Sequence, residues 1–504
     1  MGKRLNVWKL KPNNPASPSG PWDPTIEWYA KAVREMQRRP ISNPTSWKYQ
    51  AAIHEYQQGV PPNNEPVSTL PSPADRGQFW NQCQHQSWHF LSWHRVYLAY
   101  FEQMVAKTVA ALGGPSDWAL PYWNYSDASN PNARSLPPAF YRATLPDGTP
   151  NALRITQRRS GANTGAIIAT AANVNLTAAL TEPRFQAAST GGNPGFGGPK
   201  TGFNHGGAFP AGKLEATPHG SMHVRVGGPT GWMSGFNTAG LDPIFWLHHC
   251  NIDRLWEVWR KRNAAHANPV DPAWLGGLTF DFHNATGAPV TRTAAEFLDT
   301  LTCPLPYEYD DVSDPLAGTG PAGVGIAVAA AAGAMSSNNA EMVGATAVSI
   351  ELTGARADVR MDVAQPTGPA AARVGVASAA PLEMYINVEN ITGLEPNIYD
   401  VYVNVPAGED PRAHPELYAG QLPMFGLAEA TRGDANRPAD GLHYALDIGH
   451  IAQRLQDAGR WNPAELHVSF VPEEEAGGVA PAAAGAAIAP VQPIRIGRVS
   501  LYVS

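Results

Sequence analysis

The chain has 504 residues, a net charge of −7 and only three cysteines, Cys83, Cys250 and Cys303. The length exceeds one ordinary core and predicts two or three domains. The acidic balance, with no Lys/Arg-rich run, speaks against a nucleic-acid role, and three cysteines are too few for a disulfide framework.

Residues 1 to about 310 are rich in Trp, His and helical periodicity. Helices are expected over Trp22–Arg38, with Pro24 in the first turn, and over Thr45–Gln58. A longer one should run from Trp88 to about Leu112. PSDWALPYWNYS (115–126) reads as an aromatic loop. Residues 145–215, full of Gly, Asn and Thr, read as long loops with a short helix near Leu176–Thr181. The clearest helix is Asp242–Arg262: Asp242 caps it, Pro243 suits the first helical position, and Arg260, Lys261 and Arg262 complement its negative end.

Composition then changes. Residues 311–342 form an Ala/Gly-rich low-complexity linker. Period-two alternation follows in AVSIEL, ADVRMDV, EMYINVENI, YDVYVNVP, HYALDI, ELHVSFVP and RIGRVSLYV, the pattern of short antiparallel strands in a β-sandwich. A second Ala/Pro tract, Gly477–Pro493, precedes the last strand. The expected fold is therefore α+β and multidomain: a mainly helical bundle over 1–310, a linker over 311–342 and a β-rich domain over 343–504.

The opening MGKRLNVWKLKPNN lacks the apolar stretch of a secretory signal. The most apolar tract, Gly323–Met335, is too short and too weak to span a bilayer. The expectation is a cytoplasmic protein, unless a partner exports it, with no membrane or nucleic-acid partner and with homo-oligomers left open.

Histidines carry the chemistry. His219 and His223 stand four residues apart, so one helical face can present both to a metal. His249 lies on the next long helix, and Asp253 is one turn beyond it. From there Asp253 can hydrogen-bond a ligand imidazole and fix its tautomer. His85 and His94 form a second group. Its third member is His54, the one histidine further upstream, or His89, one turn after His85. His205, His266, His283 and the four C-terminal histidines read as ordinary surface or core imidazoles.

Imidazole suits zinc, copper, iron and nickel. Hydrolytic zinc sites usually keep carboxylates nearby, and no carboxylate is among these candidate ligands. Six neutral imidazoles, three and three, fit a pair of Cu(I) ions with room for dioxygen. A two-zinc hydrolase is the disfavoured reading.

Several blocks resemble the type-3 copper proteins: tyrosinases, catechol oxidases and haemocyanins. HQSWHFLSWHR (85–95), LPYWN (120–124), LEATPHGSMH (214–223) and DPIFWLHHCNIDRLW (242–256) are similar to the family's blocks, and the likeness extends over about residues 20–305. The C-terminus also resembles the family's shielding domain. The resemblance implies two coppers as cofactor and O2 as co-substrate. His54, His85 and His94 would hold one copper; His219, His223 and His249 would hold the other. His248 would be a neighbour of the ligands, and His89 departs from the usually apolar residue at its position.

The same resemblance implies further roles. Cys83, two residues before His85, matches the cysteine that fungal relatives join to the imidazole by a thioether. Phe236 resembles a gate over one copper. Glu215 resembles the glutamate that holds a water and helps deprotonate a monophenol. Gly220 stands where efficient hydroxylating members carry Asn, which puts monophenol hydroxylation in question. The activity implied is oxidation of o-diphenols to o-quinones, with ortho-hydroxylation of monophenols as a further step. The alternatives are a catechol oxidase without that step, or an oxygen carrier. A C-terminal lid over the site is expected, and LPMFGL (Leu422–Leu427) is its candidate plug.

Overall fold

The computed structural model describes residues 2–17, 19–186, 192–317, 340–363, 383–462, 464–473 and 493–503. The apolar tract Gly323–Met335, most of the expected linker and nearly all of Gly477–Pro493 lie outside the described residues. The chain divides into two compact units: one is Met1–Gln84, His89–Leu180 and Met222–Gly318, and the other is His85–Trp88, Thr181–Ser221 and Thr319–Ser504.

The first unit is helical. Its centre is Phe90–Ala111, which is buried without interruption from Phe90 to Phe101. A helix buried all round has no solvent face to present, so neighbours must cover it. Pro24–Arg38 and Pro243–Arg262 do so. Phe101 stacks on Trp246 with ring centroids 3.4 Å apart and planes 7° off parallel.

The helix starts are fixed by side-chain caps that satisfy early N–H groups. Asp23 accepts from the Thr25 N–H, Ser46 from Tyr49, and Asp242 from Ile244, with Pro24 and Pro243 in the first turn of their helices. Asp242 is also ion-paired with Arg158, both side chains being buried. Four expected helices change bounds. The first is Pro24–Arg38 rather than Trp22–Arg38. The second helix is Trp47–His54, because Glu55 turns extended and the Tyr56 N–H goes to Asn81 Oδ1. The long helix begins at Phe90 rather than Trp88, with His89 as its cap residue. The short helix is Thr177–Leu180. A hairpin of Thr279–His283 and Pro289–Thr293 was not anticipated.

The second unit carries two antiparallel sheets. One has the order Tyr418–Leu422, Tyr399–Val403, Glu465–Pro472, Ala357–Asp362. The other runs Leu442–Asp447, Met384–Thr392, Ile494–Val503, Glu341–Ala345, and Ile350–Leu352 also pairs with Ile494–Val503. Inward residues of both sheets, such as Val401, Phe470, Ile386 and Val499, share one apolar cluster. The seven strands expected from alternation are present. Tyr418–Leu422, Glu341–Ala345 and the helices Leu427–Arg432 and Gly449–Asp457 were not foreseen. Among the described residues, no helix is long and apolar enough to cross a membrane.

Candidate metal centre

Within the helical unit, four expected ligands converge from four helices. His54 closes Trp47–His54, His94 lies one turn into Phe90–Ala111, His223 is on Ser221–Gly227, and His249 is on Pro243–Arg262. All four are buried. The His94 and His249 rings are stacked, 4.4 Å apart and 8° off parallel, and the His54 ring is 5.8 Å from that of His94.

Backbone carbonyls fix the tautomers. Nδ1 of His54 meets the Phe236 carbonyl at 2.8 Å, that of His94 the Phe90 carbonyl at 2.8 Å, and that of His223 the Met233 carbonyl at 2.7 Å. A carbonyl can only accept, so each Nδ1 carries the proton and each neutral ring keeps its lone pair on Nε2. Burial above all drives the His94 and His223 pKa values well below the usual imidazole range, and neighbouring histidines add to the fall. Neutral imidazole is the state that binds a metal.

The donor set fits one cation on this side. Nε2 of His223 and Nε2 of His249 face each other at 3.4 Å. Two imidazole nitrogens bonded to one metal at about 2.0–2.1 Å, near tetrahedral angles, stand roughly 3.3–3.5 Å apart. Ring nitrogens of His223, His248 and His249 lie within 4.8 Å of one another. The His248 ring is nearly perpendicular to that of His223, at 88°, and 5.7 Å from Tyr125.

The second unit holds the other two expected ligands, His85 and His219, with ring centroids 5.9 Å apart. His219 is on the π-helical turn Glu215–Gly220, whose Thr217 departs from helical geometry. The pair 219/223 therefore does not share one regular helix, because the α-helix proper starts at Ser221. The His219 Nδ1–H donates to the Glu215 carbonyl at 3.1 Å. His85 lies in no helix; a bridge to His205 and a bond from its N–H to the Asn204 carbonyl place it.

Phe425 completes this group. Its ring centroid is 5.5 Å from His219 and 5.9 Å from His85, edge-on to both. It belongs to the LPMFGL segment, where the sequence pointed to no particular residue. Next to it, Pro423 crowds Gly220: a Cβ on that glycine would lie 3.0 Å from Pro423 Cγ.

Glu215 is buried, and its two carboxylate oxygens lie 2.8 and 2.9 Å from the Gln86 N–H. Burial pushes its pKa up to about 8, against hydrogen bonds from the backbone of Gln86 and Gly212. The Phe236 ring is buried, edge-on to His54 at 6.3 Å. Cys83, Cys250 and Cys303 are buried and in no disulfide.

The rival candidate His89 stands apart, and one expectation changes. His89 packs edge-on to Phe280, and burial pushes its pKa down to about 4. Among the described residues it joins no group of candidate ligands. Asp253 does not hydrogen-bond His249. It binds Arg95 at 2.6 Å, Arg4 at 3.3 Å, and the hydroxyls of Tyr307 and Tyr309 at 2.6 Å each. Two guanidiniums and two phenols satisfy a buried carboxylate better than a single imidazole N–H does. Asp253 thus ties the helix of His94 to the helix of His249 through Arg95. Arg4, Tyr307 and Tyr309, distant in sequence, gave no local signal of this role.

Residues 44–262 match the family model described as the common central domain of tyrosinase, and residues 339–504 match a domain of unknown function. The chain is 33% identical over 496 residues to Tyrosinase HcTyr1 of Hahella sp. (strain CCB-MM4), covering 94% of this chain and 96% of that relative. It is 29% identical over 303 residues to the chloroplastic polyphenol oxidase of Malus domestica, covering 57% of this chain and 46% of the plant protein. The chain thus matches about half the length of that plant relative. Among solved structures, a latent aurone synthase (polyphenol oxidase) superposes with a TM-score of 0.60 at 18% identity, covering 100% of this chain and 89% of that one. Latent apple tyrosinase superposes with a TM-score of 0.57 at 22% identity, covering 100% and 97%. At these identities the likeness shows the fold, a helical core followed by antiparallel sheets.

Proposed function

This chain belongs to the tyrosinase family and is a copper oxidoreductase with a dinuclear centre, and we propose that it oxidises o-diphenols to o-quinones with dioxygen and also hydroxylates monophenols at the ortho position. His54, His85 and His94 would hold one copper, and His219, His223 and His249 the other. When bound, the copper pair supplies the redox chemistry that couples phenol oxidation to dioxygen reduction. The observation that carries the assignment is the set of Nδ1–H···O=C bonds at His54, His94, His219 and His223, which leaves Nε2 as the ligand atom in each.

The protein's own residues do the rest. Carbonyls of Phe236, Phe90, Glu215 and Met233 orient the rings before any metal arrives. Burial keeps the His94 and His223 imidazoles neutral. Phe236, beside His54, limits access of a phenol ring on that side. Glu215 offers a carboxylate near His219 that can take a phenolic proton, which supports the monophenol step. Gly220 leaves the neighbouring position without a side chain, which weighs towards the diphenol step. Oxygen uptake by the copper-loaded protein, with a catechol and its matching monophenol in parallel, tests the reading. Uptake with both is expected. Uptake with catechol alone reduces the reading to a catechol oxidase, and no uptake with either after cleavage rejects it.

The domain reading follows: 1–310 catalytic, 311–342 connecting, 343–504 shielding. Phe425 is proposed as the plug, so the intact chain would be slow. The similar solved aurone synthase and apple tyrosinase are latent forms, which supports this reading. Cleavage between 311 and 342 should raise activity; unchanged activity would count against the lid. We also propose a thioether between Cys83 and a His85 ring carbon, from their spacing. Formation breaks the thiol S–H and a ring C–H, with dioxygen as the acceptor of the two electrons and two protons, and a peptide mass without the loss of two hydrogens from protein treated with copper in air would reject it.

A further inference from the structure

His85 differs from the other expected ligands in belonging to no helix or helical turn, so something else must aim it. A ligand on a loop needs partners that fix its backbone as firmly as a helix would. Here the accounting is complete for two consecutive residues. The His85 N–H donates to the Asn204 carbonyl at 3.0 Å. Asn204 Nδ2 donates to the His85 carbonyl at 2.8 Å and to the Gln86 carbonyl at 3.1 Å. The Gln86 N–H donates to the Glu215 carboxylate at 2.8 and 2.9 Å. Two side chains and one carbonyl thus satisfy all four backbone groups.

The turn they hold is an unfavourable one. Gln86 has φ 51, in the left-handed region that a residue with a Cβ rarely adopts. Its own side chain is tied down as well, with Oε1 accepting from the Gly207 N–H. Gln86, Asn204 and Glu215 are all buried, so water does not compete for these bonds.

Resting on the assignment of His85 as a copper ligand, we propose that Asn204 and Glu215 are positioning residues that clamp the left-handed His85–Gln86 turn and so hold the first copper. Asn204 supplies one acceptor and a forked donor; Glu215 supplies the acceptor that rewards the left-handed conformation. Neither is one of the six histidines assigned to copper. The part played by Glu215 here is separate from any proton transfer to it.

Copper retained per chain is the readout, measured by elemental analysis after dialysis against graded chelator, with far-UV circular dichroism reporting the fold. Glu215→Ala and Asn204→Asp should each release one of the two coppers at about 10- to 100-fold lower chelator concentration than wild type, the range for losing a ligand's supporting partner. Glu215→Gln keeps an oxygen for the Gln86 N–H and should retain both ions. A glycine takes the left-handed φ without strain, so Gln86→Gly added to Glu215→Ala should restore much of the lost retention. A proton-transfer role alone predicts instead that Glu215→Ala and Glu215→Gln hold copper equally well. Wild-type retention in Glu215→Ala and Asn204→Asp would overturn the clamp, as would a loss that Gln86→Gly does not relieve. If Glu215→Ala fails to fold, Asn204→Asp decides. A wild-type chain that binds no copper pair would overturn the ligand assignment itself, a result distinct from any difference among variants.

Discussion

The Phe425 ring stands edge-on to the His219 imidazole, 81° between planes and 5.5 Å between centroids. Both residues belong to the second unit, and Phe425 meets His85 in the same manner. Each aromatic pair of this geometry contributes about 0.5–1.5 kcal/mol beyond its buried area. Phe425→Ala should therefore raise catechol oxidation by the uncleaved chain by roughly 2- to 10-fold. The cleaved enzyme should be much less affected. Initial rates on intact and cleaved protein check this.

Gly220 makes room for Pro423. Asn at 220 places its Cβ 3.0 Å from Pro423 Cγ, closer than side chains ordinarily pack. Gly220→Asn should activate the intact chain without cleavage and, after cleavage, raise the ratio of monophenol to diphenol turnover. Adding Pro423→Gly should return the intact chain towards its slow state. Rates on both substrates across the four proteins form the cycle that reads the coupling.

Asp253 is the hub of the buried ion network. Burial alone would raise its pKa, yet Arg95 and Arg4 hold it below the usual carboxylate range. Asp253→Asn leaves two buried guanidiniums short of a counter-charge and should cost about 3–5 kcal/mol. The sign with pH follows from a lowered folded pKa. This stabilisation is present above the unfolded value of about 3.9 and is lost as pH falls through the lower folded value. Denaturant titrations from pH 7 to pH 3 should show an acid-limb loss in wild type that is smaller in the variant.

Copper removal should lower the melting temperature while leaving the helix signal at ambient temperature unchanged, because the tautomer-fixing bonds are made by the protein alone. A ligand held at about 1,000 times its Kd stabilises by roughly 4 kcal/mol. Calorimetry on apo- and copper-loaded protein measures the difference. Equal melting temperatures with copper bound would contradict it.

Much of this was legible from local patterns. The Asp242–Pro243 cap and the run to Arg262 predict their helix because cap, first-turn proline and terminal charges are all local signals. The strand at 465–472 follows from the alternation of Leu466, Val468 and Phe470 with polar neighbours. Tyr418–Leu422 gives little signal because only Gln421 and Leu422 of it are buried, too short a pattern to read. The histidine groups stood out because imidazole is scarce and its spacing is informative. Asp253 was misread because its partners, Arg4, Tyr307 and Tyr309, come from opposite ends of the first unit's sequence. Asn204 and Gln86 were invisible for a related reason. Their importance lies in backbone bonds made at a left-handed turn, and neither residue type announces that.

The most direct test is metal content, with the intact protein loaded with Cu(I) under exclusion of air, desalted and analysed for copper per chain, alongside His94→Ala and His249→Ala. The account predicts two coppers in the wild type and close to one in each variant, since the proposed assignment gives His94 and His249 to different ions. A wild type that retains one copper or none, or variants that retain two, would contradict the six-histidine centre.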